Sequence, residues 1–263
     1  MPRANRYYLP GFLWHITHRC HKREFLLKFA RDRECWLGWL FEAKKRYGLC
    51  VLNYVVTSNH IHLLVKDTDE QVITRSLQLI AGRTAQQYNQ RKQRKGAFWE
   101  DRYHATAIAS DEHFLQCLVY IDMNMVRAGV VQHPAAWAHG GYREIQQPPK
   151  RYRIIDIPAL MELAGFNDIA TMQQQHRQWL SEELTRNNSV RDKTWTESLA
   201  VGSEVFAEKV QTLLGAKATN RKVATIGDKH ALREQAARYN IDSGAENVGL
   251  SLDNRLLWDD ILM

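Results

Sequence analysis

LCVLNYVVTSNHIHLLVK, residues 49–66, reads as two β-strands folded back on one another. Both ends of the stretch are rich in β-branched and aromatic side chains, and Thr57-Ser58-Asn59 between them is turn-prone. This predicts strands over residues 49–56 and 60–66, paired as an antiparallel hairpin. Successive side chains along a strand point to opposite faces. His60 and His62 therefore project together, while Ile61, Leu63 and Val65 enter the opposite, apolar layer.

The surrounding sequence completes a repeating pattern. Residues 12–19 alternate and are rich in β-formers, which predicts a first strand, and a helix of about 18 residues follows Glu24 and stops at Gly48. Trp36, Leu37, Leu40 and Phe41 make its buried stripe. Downstream, the pattern predicts a second helix over residues 69–91, a strand over 103–109, and a third helix capped by Ser110-Asp111-Glu112 and carrying Tyr120. The order β-α-β-β-α-β-α predicts an α+β fold, a ferredoxin-like antiparallel sheet with packed helices and one helix added. Gln146-Gln147-Pro148-Pro149-Lys150 is a turn-rich break. It divides the chain into a domain over residues 1–147 and a C-terminal helical extension over 148–263. In the extension, helices are predicted over 158–164, 169–186, 203–214 and 230–239, with a polar stretch over 187–193; no chemistry is legible there.

Charge divides along the same line. The formal charge of +7 splits into +9 over residues 1–150 and −2 over 151–263, so the first part suits a polyanion and the second does not. Cys20, Cys35, Cys50 and Cys117 show no Cys-x-x-Cys spacing and read as reduced thiols, mostly in the core. No apolar run approaches the roughly 20 residues that cross a bilayer, and the opening residues lack the apolar segment of a secretion signal. These features predict a cytoplasmic protein without a membrane partner.

Two constellations carry possible chemistry. A His-x-His pair on a strand is half of a divalent-metal site, or else a pair of histidines that face water or meet a carboxylate; no carboxylate lies within this strand. On the third helix, Phe114, Leu118, Ile121 and Met125 repeat at helical spacing as a buried stripe. Gln116, Tyr120, Asn124 and Arg127 make a second, polar one, so Tyr120 reads as a surface tyrosine or as a nucleophile. An Asn124 amide oxygen beside two imidazoles would favour Mg²⁺ or Mn²⁺ over a closed zinc site. Tyrosine ionises near pH 10, so a reactive Tyr120 needs a metal-bound phosphate and added positive potential from Arg127 or Lys66.

Arg91-Lys92-Gln93-Arg94-Lys95-Gly96-Ala97-Phe98-Trp99 sets four cations beside two aromatics. Such a segment can track a phosphate backbone and stack unpaired bases, or it can be a solvated helix end followed by core aromatics. Arg83 and Arg102 are further candidates for a DNA surface. His15, His18 and His21 are expected to be exposed or DNA-facing rather than a second metal cluster, and His104 is ambiguous.

These residues resemble the single-tyrosine HUH transposases and, within them, the REP-associated tyrosine transposases. The likeness covers about residues 6–145. It rests on His15-Ile16-Thr17-His18-Arg19, on Asn59-His60-Ile61-His62-Leu63-Leu64, on Phe98-Trp99 before Arg102-Tyr103, and most specifically on Tyr120-Ile121-Asp122-Met123-Asn124-Met125-Val126-Arg127-Ala128-Gly129-Val130-Val131. The family often has Met-Pro before the Asn-His and Pro after the helix asparagine; here Thr57-Ser58 and Met125 stand there. The resemblance implies an enzyme that cuts single-stranded DNA near a hairpin, leaving a 5′-phosphotyrosine and a free 3′-hydroxyl that can later be rejoined. It implies Tyr120 as nucleophile, His60, His62 and Asn124 as ligands of a divalent metal, and single-stranded or hairpin DNA as partner. A homodimer is open, since relatives differ in whether the tyrosine acts in its own subunit or in a partner's site. Two other readings compete: a non-catalytic binder of single-stranded DNA or RNA, which has no need of Tyr120, and a zinc-dependent hydrolase, disfavoured by the expected lack of a carboxylate near the histidines.

Overall fold

The computed structural model describes residues 11–186, 192–218 and 220–234. Its first elements follow the predicted order: β1 (Leu13–Arg19), α1 (Ala30–Tyr47), β2 (Cys50–Val56), β3 (His60–Lys66), α2 (Val72–Arg91), β4 (His104–Ile108) and α3 (Glu112–Asp122). Gly48 ends α1 in the left-handed conformation (φ 71°), which costs glycine little because it has no Cβ. Trp36 and Leu40 are buried as expected, joined by Ala43, whereas Leu37 and Phe41 are only half-buried on the flank. Asp111 caps α3 by accepting from the His113 N–H at 3.0 Å. One residue later than Asp122 the helix tightens at Met123 (ψ −3°), and a short α4 (Asn124–Arg127) continues it.

β1 lies between β3 and β4, antiparallel to both, and β2 pairs outside β3. This is the four-strand order of a ferredoxin-like sheet, here extended to seven strands in the order β2-β3-β1-β4-β5-β7-β6. The register sets Arg19 beside His60, Thr17 beside His62 and His104, and His15 beside Leu64 and Thr106. With a period of two, His15, Thr17, Arg19, His60, His62, His104 and Thr106 share one face. Trp14, Ile16, Ile61, Leu63 and Val65 face the other way, and all are buried. In β2 the register shifts between Val51 and Asn53. The extra residue is Leu52, and the resulting bulge turns Asn53 toward α3.

Past the proline segment the chain forms α5 (Tyr142–Gln146), α6 (Ile157–Ala164), α7 (Ile169–Arg186), α8 (Thr194–Glu197), β5 (Ala200–Gly202), α9 (Glu204–Leu214), β6 (Arg221–Ile226) and β7 (Lys229–Glu234). Three of the expected helices are α6, α7 and α9. The fourth, expected over residues 230–239, is corrected where it is described: β7 is a strand paired with β6 and β5. His230, Ala231 and Leu232 extend because a sheet edge is there to receive them, a tertiary effect that local propensity does not record. Residues 235–239 lie outside the described residues, as do 187–191 of the polar stretch. β5 joins β4 in parallel, Ala107 beside Ala200 and Ile108 beside Val201, so the C-terminal part continues the sheet of the first part.

Cys20, Cys50 and Cys117 are buried free thiols and Cys35 is half-buried. Among the described residues no helix is long and apolar enough to cross a membrane. The seam at β5 is tight: a Cβ on Gly202 would lie 2.6 Å from the Ala109 Cβ and 2.7 Å from the Phe206 Cδ1. Gly202→Val is expected to cost about 1–3 kcal/mol through overpacking, seen as a lower urea midpoint at unchanged slope. Wild-type stability in this variant would contradict the close seating of β5 on β4 and α9.

Candidate active site

The turn before β3 fixes the first histidine. Thr57 Oγ1 donates to the His60 carbonyl at 2.8 Å and accepts from the His60 N–H at 3.1 Å. His60 Nδ1 lies 2.7 Å from Asn59 Oδ1, an oxygen that can only accept, so Nδ1 carries a proton and donates it there. The His60 and His62 rings stand nearly perpendicular, centroids 5.0 Å apart. Asn124 reaches the second ring, its Nδ2 3.1 Å from His62 Nε2. Thus β3 and the start of α4 bring the three expected ligands together around His62.

Tyr120 is brought to the same ring by α3. Its ring stands at 78° to His62, centroids 5.9 Å apart, and makes the same angle and distance with His15. The expectation of a solvent-facing tyrosine is corrected: Tyr120 is only 7% exposed. The polar stripe of α3 meets a second layer built by residues 192–202, with Trp195 at 6.0 Å from the Tyr120 ring. Arg127 lies over the ring, its Cζ 4.2 Å from the centroid, and Nη2 donates to the Tyr120 carbonyl at 2.5 Å. That carbonyl sits at the seam of α3 and α4, where helix-end oxygens seek cationic donors. Burial draws the Arg127 guanidinium below its ordinary pKa, and Tyr120 and Glu183 draw it back up. Lys66, the other expected source of positive potential, stands at the far end of β3 near Glu162, 3.7 Å away.

His15 and His18 are not exposed, against expectation. His15 is fully buried, with Nδ1 2.8 Å from the Trp195 carbonyl and Nε2 2.8 Å from His62 Nδ1. Burial pulls its pKa down to about 3, so it is neutral at pH 7. His18 is buried, stacks on Trp99 at 4.0 Å, bonds the Asp101 carbonyl at 2.9 Å, and lines the same depression as His60 and His62. His104 bonds the Ser198 carbonyl at 2.9 Å, and burial lowers its pKa.

Tyr120 and the histidine pair border different depressions. One, about 210 Å³, is lined by Thr17, Arg19, His60, His62, Arg102 and His104, and also by Glu100 and Asp101. The expected lack of carboxylates near the histidines is therefore corrected: the chain between α2 and β4 delivers two, a proximity that sequence distance hides. The other, about 450 Å³, is bordered by Tyr120, Arg127, Glu183, Asp192, Trp195 and Lys229. Among the described residues no three His, Cys, Asp or Glu side chains converge as a metal cage. A cation here would rest on two imidazoles and the Asn124 amide. That donor set suits an octahedral ion that keeps open positions for other oxygens. The chain's own donors fit: both histidines have Nδ1 engaged by hydrogen bonds and Nε2 on the other edge of the ring, and a half-turn of the Asn124 amide presents Oδ1 in place of Nδ2.

The expected DNA-facing cations are dispersed. Arg102 shares the histidine depression and Arg127 touches Tyr120. Arg83, Arg91, Lys92, Arg94 and Lys95 lie on α2 and the turn after it, away from Tyr120. Arg83 lies over Trp39, Arg91 pairs with Asp32, Lys92 lies over Phe29, Arg94 pairs with Glu24 at 3.5 Å, and Lys95 is exposed. Phe98 is a core residue, 2% exposed, and offers no face to a base. Trp99 donates from its indole to the Ala81 carbonyl at 3.1 Å. Sequence reasoning gave no role here to Arg19, Trp195 or the partners of Asp122, and it set His15 at the surface. The signal for Arg19 was its alternation with His15 and Thr17 on one face of β1, which the pairing with β3 then brings beside His60.

Asp122 lies between the expected nucleophile and ligand and is buried with His176 of α7, Oδ2 to Nε2 2.8 Å. Asn53 donates to its other oxygen at 3.0 Å, and Gln146 Nε2 lies 3.0 Å from His176 Nδ1. The bulge in β2, α5 and α7 thus all hold the helix segment that carries Tyr120 and Asn124.

Residues 10–124 match the family described as IS200-like transposases. Among solved structures, a REP-associated tyrosine transposase bound to a REP hairpin is similar at 19% identity, over 58% of this chain and 90% of that one, with a TM-score of 0.45. A candidate transposase from Deinococcus radiodurans R1 is similar at 18% identity, over 45% of this chain and 94% of that one, with a TM-score of 0.33. No curated protein matches the chain.

Proposed function

We propose, from the match of residues 10–124 to the IS200-like transposases and from the geometry of the site, that this chain cleaves single-stranded DNA and transfers the cut strand through a 5′-phosphotyrosine on Tyr120, at hairpin-forming repeats. The observation that carries the reading is the His62 ring, which meets both the Tyr120 ring and the Asn124 amide. Nucleophile and ligand set thereby share a side chain.

In the proposed cleavage, Tyr120 Oη forms a bond to phosphorus and the bond from phosphorus to the 3′ oxygen breaks. The phenol gives up its proton to solvent and the departing 3′ oxygen takes one up. One phosphodiester is exchanged for another, so a 3′-hydroxyl can reverse the step without an external energy source. Arg127 over the ring favours the phenolate, and Arg19 and Arg102 beside the histidines hold backbone phosphates. When bound by His60, His62 and Asn124, Mg²⁺ or Mn²⁺ supplies Lewis-acid polarisation of the phosphate. In this reading residues 1–147 carry the chemistry. Residues 148–263 back the site through Trp195, which touches both His15 and Tyr120.

The test is to mix the protein with labelled single-stranded hairpins from repeats flanking its gene, in Mg²⁺ or Mn²⁺, and to look for a denaturation-resistant adduct. An adduct that forms with either ion and is lost in EDTA is expected. Glu100 and Asp101 beside the histidines favour a second reading, metal-dependent hydrolysis with a carboxylate base. That reading predicts a free 5′-phosphate and no adduct, and such a product would displace the first.

A further inference from the structure

The hydrogen bonds around His15 determine more than its position. A backbone carbonyl only accepts, so His15 Nδ1, 2.8 Å from the Trp195 oxygen, must carry a proton. Thr106 Oγ1, whose single proton goes to the nearer Ser198 carbonyl at 2.8 Å, lies 3.2 Å from the same oxygen. Among the described residues no carboxylate bears on the fully buried His15: its ring meets the Trp195 carbonyl, His62 and Tyr120, and the titratable group nearest in effect is His104. A neutral imidazole with its proton on Nδ1 has a lone pair on Nε2. That nitrogen lies 2.8 Å from His62 Nδ1, and two lone pairs cannot meet at this distance, so His62 Nδ1 is the donor. The two ring planes differ by only 10° with centroids 5.0 Å apart, the edge-to-edge arrangement that an in-plane N–H···N bond requires. His62 is thereby left with its lone pair on Nε2, the atom that faces Asn124.

We propose that His15 is a positioning residue which, anchored on the Trp195 carbonyl, locks His62 in the Nδ1–H tautomer and so aims its Nε2 lone pair at a divalent cation. The inference rests on the reading of His60, His62 and Asn124 as the donors of that cation. Ligating histidines usually donate their second N–H to a carbonyl or carboxylate, which fixes the tautomer and raises ligand basicity. In this chain the acceptor is another imidazole, and the carbonyl stands one step further out, 180 residues from His15 in sequence. The same logic holds His60 through Asn59. One ligand is thus set by the turn beside it and the other by the C-terminal part of the chain.

Two measurements on the full chain test this. Histidine side-chain ¹⁵N shifts in the metal-free protein report which nitrogen of His62 is protonated, and a Mn²⁺ titration followed by electron paramagnetic resonance reports affinity. His62 is expected as the Nδ1–H tautomer in the wild type. In His15→Leu the tautomers should mix and Mn²⁺ affinity should fall by about 10–100-fold. His15→Gln can donate from Nε2 to Trp195 and accept at Oε1 from His62, so it should restore both the tautomer and most of the affinity. A proton on His62 Nε2 in the wild type would overturn the relay whatever the affinity, as would a folded His15→Leu that binds Mn²⁺ like the wild type. If the wild type bound no Mn²⁺ while His62 kept its Nδ1–H form, the cation assignment beneath the proposal would fall instead.

Discussion

Tyr120→Phe is expected to abolish covalent capture of DNA, by at least about a thousandfold, while the protein stays folded and still binds the strand. The substitution removes one oxygen and leaves the ring. Its perpendicular contacts with His15 and His62, its packing against Trp195 and the guanidinium above it all remain. The loss in stability should therefore stay near that of a single hydrogen bond, about 1 kcal/mol. The measurement is a denaturing gel of labelled hairpin DNA beside a filter-binding curve for the same variant. Adduct at the wild-type rate would move the nucleophile elsewhere. Binding with no adduct in either protein would favour a nucleic-acid-binding module, which makes no use of the phenol.

The second large effect is expected at Asp122. Asp122→Ala leaves His176 and Asn53 buried without their shared acceptor, and each buried donor left unsatisfied costs about 1–3 kcal/mol. Asp122 and His176 side chains are each 1% exposed, so water cannot replace the lost partner without opening the core. Urea unfolding measures the cost. The double variant Asp122→Leu with His176→Leu should recover part of it, because no polar group of the pair is then stranded. A loss below about 1 kcal/mol in Asp122→Ala would mean that the network does not hold α3. The helix segment between Tyr120 and Asn124 should also loosen, and with it the angle between nucleophile and ligand.

Much of the first half was legible because its signals are local. Alternation in residues 12–19 and 60–66, Gly48 after α1 and Asp111 before α3 each specify an element through near neighbours, whereas the register that sets His60 beside Arg19 comes from the long-range pairing of β1 with β3. The His60, His62, Tyr120 and Asn124 grouping was legible from the periods of strand and helix, and the geometry brings all four to one place. Burial of Tyr120 was not legible, since the cover comes from Trp195, far along the chain. The same holds for Asp122, which meets His176 on α7, and for residues 230–234, whose extended form depends on β5 and β6 alongside. A polar stripe on a helix reads as surface unless the sequence reveals what packs on it.

The parallel pairing of β5 onto β4 bears on how this protein can be shortened. A chain cut at the proline segment would leave the outer side of β4 with unsatisfied amide and carbonyl groups that now bond to the chain at Leu199 and Val201. A bare edge strand is a template for another copy of itself. The shortened protein would therefore tend to self-associate edge to edge, and its His15 would lose the carbonyl it is anchored on.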